Sequence, residues 1–135
     1  MSATNAKTAM ELVTEAKRRV TNLTPEQVAT ELAGGDILLV DVREPGERLQ
    51  NGAISGAVHA PRGMLEFYAD PASPYHRPEF DPARRTILYC AAGSRSALAA
   101  DALRQLGYAS VAHLDGGLRG WQEAGRPVEP GGAHV

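Results

Sequence analysis

Cys90 is the only cysteine among the 135 residues, and its neighbours are those of a reactive thiol. It ends an apolar run, Thr86-Ile87-Leu88-Tyr89, and leads into Ala91-Ala92-Gly93-Ser94-Arg95-Ser96 and an alanine-rich segment of helical pattern. A cysteine between a buried strand and a helix N-terminus faces unpaired backbone N–H groups and the positive end of the helix dipole. Arg95 adds a fixed cation, so thiolate is favoured over thiol. A solitary cysteine is by type more often a small buried hydrophobe, but Gly93, Ser94 and Arg95 beside this one reverse that reading.

The elements that must position Cys90 read as α/β. Residues 37–42 form a nearly unbroken apolar run of strand length, the pattern of a strand covered on both faces, as in a parallel sheet. Further short runs fall at residues 57–60, 86–89 and 110–114. Between the last two, Leu98, Ala99, Ala102, Leu103 and Leu106 make one apolar helix face, with Gly107 as its stop. This is a strand, helix, strand crossover. Ligands of such sheets bind beyond the carboxyl ends of the strands, where Asp41 and Cys90 both fall. Asp41 either orients an arginine near the loop or caps the turn at residues 44–49, and the structural role is favoured.

The N-terminal residues 1–20 read as a separate amphipathic helix, with Met10, Val13, Ala16, Lys17 and Val20 at helical spacing and cations near its C-terminus. It packs on the body or on a partner, and covering a sheet edge or face is the expected role. Thr24-Pro25-Glu26-Gln27 opens a second helix with a cap, a first-position proline and a glutamine three residues on. Residues 70–82, rich in proline, form an irregular connection, either a spacer or a lid. The tail, residues 129–135, reads as flexible.

Composition excludes several classes. Lys and Arg total 14 against 16 Asp and Glu, a formal charge of -2, so nothing global points to nucleic acid or to an anionic membrane surface. No apolar stretch approaches the ~20 residues of a membrane span, and no secretory or transit signal is evident. A cytoplasmic location is the default. His59, His76, His113 and His134 lack metal-ligand spacing, so neither a metal nor another cofactor is expected.

Four motifs in order carry a resemblance: Leu39-Val40-Asp41-Val42-Arg43-Glu44-Pro45, Gly52-Ala53-Ile54-Ser55-Gly56-Ala57, Cys90 through Arg95-Ser96, and Leu114-Asp115-Gly116-Gly117 with Trp121. Together they resemble a single-domain rhodanese over residues 21–128. The resemblance implies a mostly parallel five-stranded sheet with helices on both faces, plus the N-terminal helix. Ala53 and Ser55 depart from the family's usual histidine and proline, which predicts altered loop packing with the chemistry intact.

The resemblance also implies sulfurtransferase chemistry. Cys90 attacks the outer sulfur of a donor such as thiosulfate, holds it as a persulfide, and yields it to cyanide, a small thiol or a protein thiol. The site then needs inward donors: backbone N–H groups of Ala91, Ala92, Gly93, Ser94, Arg95 and Ser96, with Gly93 permitting the curl. Ser94 and Ser96 add hydroxyls or serve as helix caps. Arg95 faces the oxyanion or ties the loop to Asp41 or another carboxylate. Asp41 and Arg43 support the loop; Arg43, Arg62 and Arg119 are weaker candidates for the anion site. Asp115 braces the turn before Gly116, and Trp121 belongs to the core.

A cysteine phosphatase shares the strand, loop, arginine and helix, but its loop is one residue longer between cysteine and arginine. A cysteine hydrolase needs a histidine in reach; His59 and His113 lie at or near strand ends, but Leu88 stands two before the cysteine where a nucleophile elbow wants glycine, and the reading is discounted. The other alternative is a non-catalytic partner-binding or redox-sensing module, against which the presence of Cys90 argues. A monomer or homodimer is expected.

Overall fold

Short apolar runs separated by amphipathic helices leave the chain one economical arrangement, a parallel sheet covered on both faces. The computed structural model describes residues 5–132. In chain order the elements are α1 (Ala9–Arg19), β1 (Thr21–Leu23), α2 (Pro25–Gly34), β2 (Leu38–Asp41), α3 (Pro45–Asn51), β3 (Val58–His59), a 3-10 turn (Arg62–Met64), α4 (Leu65–Ala69), β4 (Thr86–Tyr89), α5 (Ser94–Gln105), β5 (Val111–Leu114) and α6 (Gly117–Glu123). The five strands are all parallel, in the order β1-β5-β4-β2-β3.

The pleat decides what each strand residue faces. Leu38, Val40, Val42, Leu88 and Cys90 point to one side, where Leu65, Ala69, Phe80, Leu103 and Tyr108 complete the core. Leu39, Ile87, Tyr89, Ala112 and Leu114 point to the other, against Val28, Leu118 and Trp121. Asp41 lies beside Tyr89 in register, and Leu88 beside His113. The carboxyl ends of the three central strands therefore open onto one edge.

Several local features follow their sequence signals. Thr24 caps α2 and forms a reciprocal capping box with Gln27, each side chain bonding the other residue's backbone N–H. Thr8 and Glu11 do the same for α1. Trp121 is buried and donates its Nε1–H to the Pro127 carbonyl.

Others differ from expectation. The fifth strand, β1, carries no apolar run because only Leu23 is buried; it lies at the sheet edge beside β5. Helix α1 covers α5 instead of the sheet: Val13 and Ala16 pack on Ala97, and Arg19 forms a bidentate ion pair with Asp101. This explains why α5 is buried on two sides. Residues 70–82 form a packed spacer anchored by the buried Phe80 and by Arg77, which donates to the His59 carbonyl and lies over the Tyr68 ring. The end of the chain is held further than the expected boundary at residue 129. Glu129 pairs with Ala53 in an antiparallel bridge, and Arg48 donates to the Gly132 carbonyl. The rest of the expected tail, and residues 1–4 of the expected helix, lie outside the described residues.

Asp41 and Arg43, expected to support the site loop, form a buried hub. Asp41 Oδ1 accepts from the backbone N–H and Nε of Arg43, at 3.0 Å each; Oδ2 accepts from Arg43, Arg48 and the Tyr89 hydroxyl at 2.8–3.0 Å. The Tyr89 hydroxyl in turn accepts from the Ile54 N–H, and the Arg43 guanidinium also donates to the Gly52 carbonyl. This ties the departing segment around Ala53 to the sheet, with Ser55 left exposed. Burial pushes the Asp41 carboxyl up, but the hydrogen bonds and charge of Arg43 outweigh it and hold the group below the usual carboxylate range.

Two outcomes follow for the hub. Asp41→Asn leaves two buried guanidinium groups undercompensated and lowers stability by about 3–5 kcal/mol in denaturant melts. Because the folded carboxyl is depressed, its contribution is complete above the unfolded value of about 4 and is lost as pH falls below it. Thermal melts of the wild type therefore lose Tm on acidification through that range, and Asp41→Asn flattens the loss.

Candidate active site

β4 delivers Cys90 to the open edge, and the chain then turns immediately into α5. The turn is made at Gly93, the N-cap of α5, whose φ of 109° lies in the left-handed region natural to glycine. It brings two backbone N–H groups onto the sulfur: Gly93 N lies 3.1 Å and Ser96 N 3.4 Å from Cys90 Sγ. The thiol itself donates to Ser96 Oγ at 3.5 Å. The cysteine is only 1% exposed.

The outside of the loop is held by α6. Leu118 N donates to the Cys90 carbonyl at 2.8 Å and Arg119 N to the Ala91 carbonyl at 3.0 Å. These bonds turn the loop's carbonyls away from the sulfur. The approach depends on Gly117, with φ of 64°, where a Cβ would meet the Ala91 carbonyl carbon at 2.5 Å and its oxygen at 2.6 Å. The Gly116-Gly117 pair is thus what lets the second loop clamp the first.

Arg95 projects sideways and makes a bidentate ion pair with Glu47 of α3, at 2.8 and 2.9 Å. It does not reach Asp41. The Arg95 hydrogen bonds, aided by the Glu44 backbone N–H and against some burial, hold the Glu47 carboxyl at about 2. The pair is therefore ionised across the physiological range and anchors the N-terminal turn of α5 to α3. Asp115 forms an ion pair with Lys17 of α1 at 2.9 Å, and Gly93 lies close against the turn that Asp115 opens.

Of the expected loop residues, Ala91 and Ala92 supply only small surface, and Ser94 begins α5 without capping it, since Gly93 occupies the cap. Ser96 is the working hydroxyl. Its Oγ lies 2.9 Å from His113 Nδ1, and His113 Nε2 lies 2.7 Å from Asn22 Oδ1. This corrects the expected absence of a histidine partner for Cys90: His113 stands behind it, one hydroxyl removed. Among the arginines considered for the anion site, Arg43 is committed to the hub and Arg62 to Glu66, whereas Arg119 is exposed and without an ion pair among the described residues. Arg119, Ala91, Leu118 and Gln122 border a recess beside the loop.

Glu47 and Asn22 have no assignment in the sequence, and His113 has only the discounted one of a hydrolase partner. Glu47 looks like an ordinary acidic residue in a first helical turn. His113 carried one signal, a polar ring inside an otherwise apolar strand. Asn22 lies in a strand with no apolar pattern to reveal it.

Among the described residues no group of His, Cys, Asp and Glu side chains is arranged to hold a metal ion, and no helix is long and apolar enough to cross a membrane.

Comparison with known proteins agrees with this architecture. The rhodanese-like domain model matches residues 24–124. The thiosulfate sulfurtransferase GlpE of Actinobacillus succinogenes is 32% identical over 109 residues, which cover 81% of this chain and 90% of that protein. A protein of unknown function from Rhodopseudomonas palustris, described as a possible tyrosine phosphatase, superposes with a TM-score of 0.87 at 37% identity, covering 96% of this chain and 99% of that one. The homodimeric polysulfide-sulfur transferase of Wolinella succinogenes superposes at 0.73 with 28% identity, covering 96% and 93%. The chain spans 46% and 63% of the length of the first curated relatives it matches. With the cysteine loop, the five-stranded parallel sheet and these similarities in agreement, the chain belongs to the rhodanese-like domain family.

Proposed function

We propose that the protein is a sulfurtransferase that carries a sulfane sulfur as a persulfide on Cys90. The observation that carries this reading is the pair of N–H groups closed on a sulfur with almost no free surface around it. In the first step the Cys90 thiolate attacks the outer sulfur of thiosulfate or a comparable sulfane donor. A new S–S bond forms, the donor's S–S bond breaks, and sulfite leaves with the bonding pair. In the second, cyanide or a thiolate attacks the outer persulfide sulfur and Cys90 departs as thiolate. Neither step requires an oxidant or a metal.

The charge to be held is that of sulfur, and the two N–H groups closed on Cys90 Sγ stabilise it as an oxyanion hole stabilises an oxygen. A phosphoryl group needs donors for three equatorial oxygens and a wider opening. The four residues between Cys90 and Arg95 therefore favour sulfur over phosphate, even though one similar structure is described as a possible tyrosine phosphatase. The exposed guanidinium of Arg119 beside the loop, without an ion pair among the described residues, suits an anionic donor such as thiosulfate. A module that only binds a partner has no need of an N–H cradle on a cysteine.

Two measurements test this reading. Incubation with thiosulfate and cyanide produces thiocyanate, and Cys90→Ser abolishes it; absence of turnover with thiosulfate, mercaptopyruvate and glutathione persulfide alike would overturn the assignment. Aryl phosphate hydrolysis stays at background. Gly117→Ala forces a methyl into the Ala91 backbone, lowers stability by about 1–3 kcal/mol, and reduces kcat disproportionately to that loss because the cradle opens. Unchanged kcat in a folded Gly117→Ala protein would separate the clamp from the chemistry.

A further inference from the structure

The hydrogen bonds that run inward from Cys90 have a defined polarity. Asn22 Nδ2 donates to the carbonyls of Lys17, at 2.9 Å, and Val20, at 3.3 Å, which fixes its amide so that Oδ1 faces His113. An acceptor at 2.7 Å requires a hydrogen on His113 Nε2. In the neutral ring Nδ1 is then the acceptor, so the Ser96 hydroxyl donates to it at 2.9 Å. Among the described residues the other acceptors near that hydroxyl, the Gly93 carbonyl at 3.4 Å and the Cys90 sulfur at 3.5 Å, are further away. With its hydrogen directed to the ring, Ser96 Oγ turns a lone pair to Cys90, whose thiol donates to it. Every donor points the same way, from sulfur to hydroxyl to imidazole.

From this alignment we propose that Ser96 relays the Cys90 proton to His113, so that His113, positioned by Asn22, is the proton acceptor for the nucleophile. The S–H bond breaks with its electron pair left on sulfur, the proton passes to Ser96 Oγ, and the hydroxyl's own hydrogen passes to His113 Nδ1. The products are a thiolate and an imidazolium, and the chain of donors is reversed: Nδ1–H now donates to Ser96 and Ser96 to the sulfur. That reversed chain adds a third donor to the sulfur beside the N–H groups of Gly93 and Ser96. His113 and Asn22 touch no substrate and act only through Ser96.

The groups facing His113 set when this happens. Asp115, at the end of the same strand, favours the imidazolium; Lys17 of α1 opposes it, and the two are ion-paired with each other. Burial is the larger influence and pushes the ring down to about 4, so His113 is neutral in the resting protein. An anionic sulfur supplies the compensating charge, and the proton moves as the nucleophile is used.

The inference rests on Cys90 being the nucleophile proposed above, and its test needs no sulfur donor. Alkylation of Cys90 by iodoacetamide is followed by intact mass across pH for the wild type, Asn22→Asp, Ser96→Ala, the double variant and His113→Gln. A carboxylate at position 22 favours the imidazolium, so the relay predicts that the alkylation midpoint in Asn22→Asp moves to lower pH by about one unit. Without the relay, an added negative charge only disfavours thiolate and the midpoint moves up. The downward shift disappears in the Ser96→Ala background. His113→Gln still accepts a hydrogen bond but cannot take the proton, and alkylation at pH 7 slows about tenfold; an unchanged rate in folded protein overturns the proposal, and so does an upward shift in Asn22→Asp. Thiocyanate turnover measured on the same wild-type sample separates the two readings. Turnover with unshifted profiles removes the relay alone, and shifted profiles without turnover remove the sulfurtransferase reading alone.

Discussion

The site depends on the close approach of two backbones, the turn that follows Cys90 and the turn that opens α6. Gly117 lets them touch, and the Leu118 and Arg119 N–H groups then satisfy the Cys90 and Ala91 carbonyls. A tight loop has as many acceptors as donors, and a cradle for an anion forms only if the acceptors have partners elsewhere. Here α6 provides them. What remains facing inward is a set of N–H groups and the start of a long helix, with a sulfur atom at the centre.

Around that contact, two ionic anchors work at different depths. Arg95 and Glu47 hold the start of α5 to α3 at the half-exposed rim, a pair worth little as stability but effective in orientation because it is bidentate. Asp41, Arg43, Arg48 and Tyr89 lie fully inside and fix α3 and the segment after it to the sheet. Glu47 and Arg48 are adjacent on α3, so the rim anchor and the buried hub share one short helix. The loop is therefore braced from β2 through α3, although neither Asp41 nor Arg43 bonds to Cys90.

The legible parts of the molecule are those set by local pattern. The apolar runs at β2, β4 and β5, the capping box at Thr24, the stop at Gly107 and the sharp turn at Gly93 are all consequences of a few neighbouring residues, and they suffice to place Cys90 at a strand end before a helix. The illegible parts are set by partners distant in sequence. Glu47 meets Arg95 across 48 positions and His113 meets Asn22 across 91. Their residue types are ordinary for their local setting, so nothing nearby marks them. Likewise the amphipathic stripe of α1 announces a buried face without naming what covers it, and α5 is the answer. β1 escapes pattern reading because an edge strand with one buried side chain needs no apolar run. Residues 129–132 escape pattern reading for a related reason: Gly131 is needed where the chain passes against Arg48, and glycine in a sequence reads as looseness.

The account makes Cys90 a carrier of sulfur, and the carried atom can be weighed. Intact-mass measurement of the protein after brief exposure to thiosulfate, under non-reducing conditions, should show the addition of one sulfur atom that is absent in Cys90→Ser and is removed by cyanide. A wild-type protein that remains unmodified by thiosulfate and by every other sulfane donor, or one whose added sulfur persists when Cys90 is replaced, would contradict it.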